Sequence, residues 1–206
     1  MVTKKPDQVR ITQKKTVHMY AELWHASKCV LERGIENEKG SSWQFLSSIV
    51  LTAFAFEAYL NHVGKSLIAC WESVEPLPPP KKFNLICELL KVDFPGEAGK
   101  RPVQTLTQLQ DFRNLMAHGK TEQIEPQPFL CDAKHADARL GQRPLANWER
   151  LIRTKDFAER ARVDVEEVLK TVHAARPKPK ESLFSFGIGS GSAVVVENDG
   201  RNTMRK

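Results

Sequence analysis

Arg113 and His118 lie five positions apart in the run Asp111 to Gly119, DFRNLMAHG. Histidine titrates near neutral pH and can move a proton. Arginine is a permanent cation whose forked donors match a phosphate. Five positions along a helix advance about 7.5 Å and rotate roughly 140°. The two side chains therefore do not stack, but a long arginine and a histidine at the helix end can both reach a phosphate lying beside that end. The same residues also suit an ordinary helix terminus, with histidine near the free carbonyls and Gly119 as a left-handed stop. Spacing alone leaves both readings open.

These side chains act together only if helices hold them, and the apolar spacing predicts such helices. From about Gln13 to Arg33, Val17, Tyr20, Ala21, Trp24 and Leu31 recur at the steps of one helix face, with Gly34 as the stop. A long element from Ser42, as N-cap, to Trp71 holds no proline, and its only glycine, Gly64, falls late. Its first half, FLSSIVLTAFAFEAYL, is apolar on nearly all sides and predicts a central helix touched by several neighbours.

The PLPPP run at Pro76 to Pro80 breaks the chain. In KKFNLICELLKV, Phe83, Ile86, Leu89 and Leu90 form one stripe, and Asp93, Pro95 and Gly96 mark a loop. A helix begins with Pro102 in its first turn and turns Leu106, Leu109, Phe112 and Met116 to the core, with Leu115 beyond, ending at Gly119. Residues 120–144 read as a long surface excursion, and Leu145 to Ala175 as a final helical region broken near Lys155. Trp148, Leu151, Ile152, Phe157, Val165, Val168, Leu169 and Val172 supply the apolar positions there.

The domain division that follows is a flexible N-terminus over 1–12, one helical domain over 13–175, and a basic, Gly/Ser-containing tail over 176–206. The tail reads as disordered, with strand composition only at Ala193 to Val196. No glycine-rich phosphate loop or strand-helix alternation occurs. The expected fold is all-α, a bundle of about five helices with a long loop.

Composition sets the outer limits. At 206 residues, 41% hydrophobic and 27% charged, the chain can bury a core without a metal or disulfide framework. Cys29, Cys70, Cys87 and Cys131 form no C-x-x-C and follow no secretory leader, which predicts reduced thiols and a cytoplasmic protein. The longest apolar stretch, Ile49 to Leu60, is short for a span and contains Glu57, so no membrane insertion is expected. A net charge of +6 makes a polyanion a reasonable partner. Part of that excess lies in the termini, where it serves solubility equally well.

Glu57 is an acid on an apolar helix and must find a partner or stay neutral. Either it holds Arg113 or His118 in place, or it shares a polar strip with Asn61, one turn on, and Lys65. Cys131 and His135 form C-x3-H with no second pair at zinc-like spacing, so no metal site is expected. His18 and His25 read as solvated or packing residues. The four tryptophans read as core or interface rather than a base-stacking platform.

DFRNLMAHG resembles the R-x4-6-H signature of HEPN domains, in the form where asparagine follows the arginine and glycine follows the histidine. AFAFEAYLNHVG is similar to the second helix of that family, with Glu57 followed by Tyr59, Leu60 and Asn61. The resemblance spans about Gln13 to Ala175. It implies an all-α HEPN-like bundle, often dimeric, and a metal-independent endoribonuclease of the kind found among toxins and antiphage effectors.

On that resemblance Arg113 would bind and polarise the scissile phosphate. His118 would act as general base or acid on the 2′-hydroxyl or the leaving 5′-oxygen, with Asn114, Glu57 and Asn61 in support. The product would be a 2′,3′-cyclic phosphate. No cofactor or metal is implied, because the 2′-hydroxyl is an internal nucleophile. The implied partners are RNA, a second copy of the chain, and an antitoxin or other regulatory protein. One departure stands out: where a branch of the family carries a modifiable tyrosine two places after the histidine, this chain has Lys120. The other reading, a non-catalytic HEPN-like module that binds RNA, nucleotide or protein, uses the same residues as a binding or structural pair.

Overall fold

A computed structural model describes residues 8–37, 39–94, 99–179 and 181–196. The expectations for residues 1–7, Pro95, Gly96 and 197–206 lie outside these. The described chain is mostly helical with one two-stranded antiparallel sheet. Five helices are long: α1 (Met19–Glu36), α2 (Ser41–Leu67), α4 (Pro79–Leu90), α5 (Val103–Ala117) and α8 (Asp156–Ala175). Three are short: α3 (Trp71–Val74), α6 (Ala136–Leu140) and α7 (Asn147–Ile152). The strands are β1 (Gln8–Val17) and β2 (Gly187–Val196).

The central helix is α2, as its all-round apolar pattern predicts. Ile49, Ala55, Tyr59, Leu60 and Val63 are fully buried on it, and α1, α4, α5 and α8 all pack against it. It is long and apolar enough by composition to cross a membrane, but its contacts are those of a core helix. Its cap differs from expectation: Gly40, at φ +80°, precedes the first turn in place of Ser42, and the helix stops at Leu67. The stop lets Trp71 fold back onto Gly64, where any side-chain methyl would overlap the indole ring.

Contacts pairing α1 with α2 run in opposite directions along the two helices. Gly34 lies against Phe45, Ser48 Oγ donates to the Ser27 carbonyl at 2.9 Å, and Tyr20 meets Tyr59 edge-on at 5.2 Å. The two therefore form an antiparallel hairpin. Gly34 is an interior contact of α1 rather than its stop, because a larger residue would strike Gln44 and Phe45.

The N-terminal boundary requires a correction. Residues 8–17 are not a flexible lead into a helix beginning at Gln13. They form β1, paired over its whole length with β2, from Gln8 opposite Val196 to Val17 opposite Gly187. Val9, Ile11, Thr12, Thr16 and Val17 are β-branched and stiff at χ1, which favours the extended chain. The tail is likewise not wholly disordered, since its described part supplies β2 and a packed segment before it.

In that segment Phe184 stacks on Trp24 at 5.2 Å. Glu181 sits between His62, at 2.8 Å, and Arg176, at 2.5 Å. His18 Nδ1 donates to the Ser185 carbonyl at 2.8 Å. Burial would raise the Glu181 carboxyl, but hydrogen bonds from His62 and Arg176 outweigh it and hold the group at about 2. Burial keeps His62 and His173 below the usual histidine range. The cluster fastens the end of the bundle to its first two helices.

Residues 120–132 are irregular and exposed, followed by a single 3-10 turn at Ala133–His135 and α6, so the surface excursion is real. The final helical region breaks between Ile152 and Asp156, as its sequence predicts near Lys155.

Candidate functional site

The site is built where α2, α4 and α5 meet. Glu57 on α2 accepts two cations: Arg113 Nη2 at 3.1 Å from α5 and Lys82 Nζ at 3.3 Å from α4. Lys82 also donates to Asn61 Oδ1 at 2.9 Å. Asn61 stands one helical turn after Glu57, so both acceptors face α4 together. Arg113 Nη1 donates to Asn114 Oδ1 at 3.1 Å, and Gln110 Nε2 shares that acceptor at 3.0 Å. The guanidinium also lies over the Phe54 ring, 5.6 Å from its centroid, while its Nε has no acceptor among the described residues.

Both uses weighed for Glu57 are met in part, since it bonds Arg113 and also shares Lys82 with Asn61 on one helix face. The acid holds Arg113 and does not share a bond with His118. Glu57, Asn61, Arg113 and Asn114 come together in one hydrogen-bonded set, while His118 stands apart. His118 follows the last residue of α5 with φ −121°, and its backbone N–H donates to the Asn114 carbonyl at 2.9 Å. Its side chain is exposed, and no hydrogen bond joins it to the set among the described residues. The left-handed glycine stop is absent: among the described residues only Gly40 and Gly187 are glycines with positive φ, so Gly119 continues in an ordinary conformation.

Lys82 is the member of this set that sequence reasoning missed. It is 1% exposed, and burying an ammonium is costly unless charge and hydrogen bonds compensate. Glu57 and Asn61 do both. The signal was there in the spacing, since Lys82 lies one residue before Phe83 and four before Ile86, on the buried stripe of α4. Leu89, placed on that stripe from sequence, is half exposed instead.

Charge follows from this geometry. One carboxylate between two cations leaves the set with a net positive charge, so Arg113 is anchored without the whole cluster becoming neutral. Beyond the end of α5, a cleft of about 320 Å³ is lined by Leu115, Met116, Gly119, Ile124, Ala146 and Trp148, with one cation, Lys120, and two acids, Glu122 and Glu149. That is near the lower end of the size of small-molecule sites, roughly 300 Å³. His118 does not itself line it. The excursion after Lys120 forms one wall and α7 the other. The arrangement fixes a guanidinium against Glu57 and Asn114 and leaves an exposed imidazole at the end of the same helix. No family model, curated protein or solved structure matches the chain.

Proposed function

We propose that the chain is a metal-independent endoribonuclease of HEPN type, in which Arg113 binds the scissile phosphate and His118 transfers the proton. The observation that carries this reading is the Glu57–Lys82–Arg113 set: a guanidinium fixed from the core helix, within a net positive cluster, just before an exposed histidine on the same helix. Holding the arginine in advance limits the entropy lost when phosphate binds. His118 then takes the proton from the 2′-hydroxyl or returns one to the leaving 5′-oxygen, and the 2′-oxygen closes on phosphorus to give a 2′,3′-cyclic phosphate. A second copy of the chain would bring another Arg113/His118 pair to the same phosphate. A toxin or antiphage role in the cytoplasm, under an antitoxin or other regulator, accords with such an activity.

A second reading has its own observation. Arg113 already donates to Glu57 and Asn114, and His118 is not bonded to that set. This suits a non-catalytic HEPN-like module that binds RNA, nucleotide or a protein partner. The test is incubation of the full chain with mixed RNA and a chelator, followed by analysis of RNA ends. The catalytic reading expects 2′,3′-cyclic phosphate termini that disappear in His118→Ala while the helical circular dichroism and elution volume stay as in the parent. Cleavage that persists in His118→Ala, or no cleavage by the parent, removes it and leaves the module.

A further inference from the structure

We propose that the β1–β2 ribbon is an arm that grips the phosphodiester backbone of an RNA strand through Arg10, Lys14 and Lys15. The choice of RNA rests on the ribonuclease reading; the polyanion preference comes from the ribbon itself.

The ribbon has ten residue pairs and no third strand among the described residues. Every residue of β1 is exposed, and so are the eight interior residues of β2. A two-stranded ribbon without further packing is marginal in water, so a partner adds much of its rigidity. It carries Arg10, Lys14 and Lys15 and no acidic residue.

Register divides these groups between the faces. Arg10, Thr12, Lys14 and Thr16 lie opposite Val194, Ser192, Ser190 and Ile188, so two cations and four hydroxyls share one face with Val194 and Ile188. Lys15 lies on the other, opposite Gly189. At about 3.3 Å per residue, Arg10 and Lys14 stand roughly 13 Å apart along the strand. A trough of about 450 Å³ runs beside Lys14 and Lys15, lined also by Gln13, Gly189, Ser190 and Gly191. Cations and hydroxyls without acids are the groups that position a phosphate backbone without reading bases.

Charge and area decide against a second copy as the occupant. One face of the ribbon measures roughly 30 Å by 10 Å from strand geometry, well under the roughly 800 Å² per partner of a stable interface. Two such ribbons meeting on the Arg10/Lys14 face would also set like charges together. A polyanion needs no such area, because neutralised phosphates release counterions.

The experiment measures fluorescence anisotropy of a labelled single-stranded RNA of about 20 nucleotides with the full chain carrying His118→Ala, at about 50 and 200 mM salt. Adding Arg10→Gln, Lys14→Gln and Lys15→Gln together should weaken binding tenfold or more at low salt. It should also lower the slope of log affinity against log salt by about 2, from about 0.7 per phosphate contact. Lys14→Arg with Lys15→Arg should keep both affinity and slope, which separates loss of charge from loss of the strand. Affinity and slope unmoved by the triple variant would overturn the proposal, as would a changed elution volume with RNA affinity intact. Formation of 2′,3′-cyclic phosphate ends on mixed RNA by the chain with His118 intact tests the ribonuclease reading separately. A chain that binds RNA through the ribbon yet leaves no such ends on mixed RNA keeps this inference and loses that reading.

Discussion

Lys82→Met removes one charge from the Glu57 set while keeping most of the buried stem, so its cost isolates the electrostatics. Breaking a buried ion pair costs about 3–5 kcal/mol when the partner is left alone in the interior. Here the Glu57 side chain is 23% exposed and keeps Arg113 at 3.1 Å. The residual carboxylate is therefore partly compensated, and the loss should be about 2–3 kcal/mol, including the unpaired Asn61 acceptor. At about 2–4 °C per kcal/mol for a chain of this size, the thermal midpoint should fall by roughly 4–12 °C. Urea unfolding followed by circular dichroism gives the free energy directly, with an unchanged m-value expected. Adding Glu57→Gln should cost less in the Lys82→Met background than in the parent, because the carboxylate is then already short of a partner. A loss below about 1 kcal/mol, or single-variant costs that simply add within about 0.5 kcal/mol, would refute the idea that Lys82 and Glu57 are coupled.

Gly64→Ala should destabilise by about 1–3 kcal/mol despite alanine's better helix propensity, since the added methyl overlaps the Trp71 ring; a rise in thermal midpoint would contradict that packing. Stability should fall as pH drops below about 6.5, because burial keeps His62 and His173 neutral in the fold and the unfolded chain there binds more protons. A second loss should follow below about 4.5 as pH approaches about 2, where Glu181 is protonated in the fold. His62→Gln with His173→Gln should flatten the profile just below about 6.5, and an unchanged profile would assign that slope elsewhere. Asp164→Asn should lower the urea midpoint, since the buried carboxylate takes Arg101 Nε at 2.8 Å and Nη2 at 2.5 Å from a half-exposed guanidinium. Equal stability would mean that this pair is replaceable by neutral hydrogen bonds.

Local spacing made the helices around the site legible. The all-round apolar run of α2 could be buried only at the centre of a bundle, and the step from Arg113 to His118 along α5 follows from helix geometry whatever surrounds it. The break between α7 and α8 and the exposed excursion were legible for the same reason: loss of apolar period and prolines are properties of the segment itself. Glu57 was recognisable as an acid in need of a partner, because burial of a charge is costly wherever it happens.

Which partner it takes was a tertiary matter. Lys82 comes from a helix 25 positions away, and its meeting with Glu57 depends on how α4 crosses α2. The β1–β2 pairing joins residues 8–17 to residues 187–196. Sequence alone left β1 merged with a helix face at Val17 and β2 reading as a Gly/Ser patch with strand composition only at Ala193 to Val196, since neither strand carries the hydrogen-bond partner that defines it. Only closure of the bundle, with Phe184 on Trp24 and Glu181 between His62 and Arg176, brings those two ends side by side.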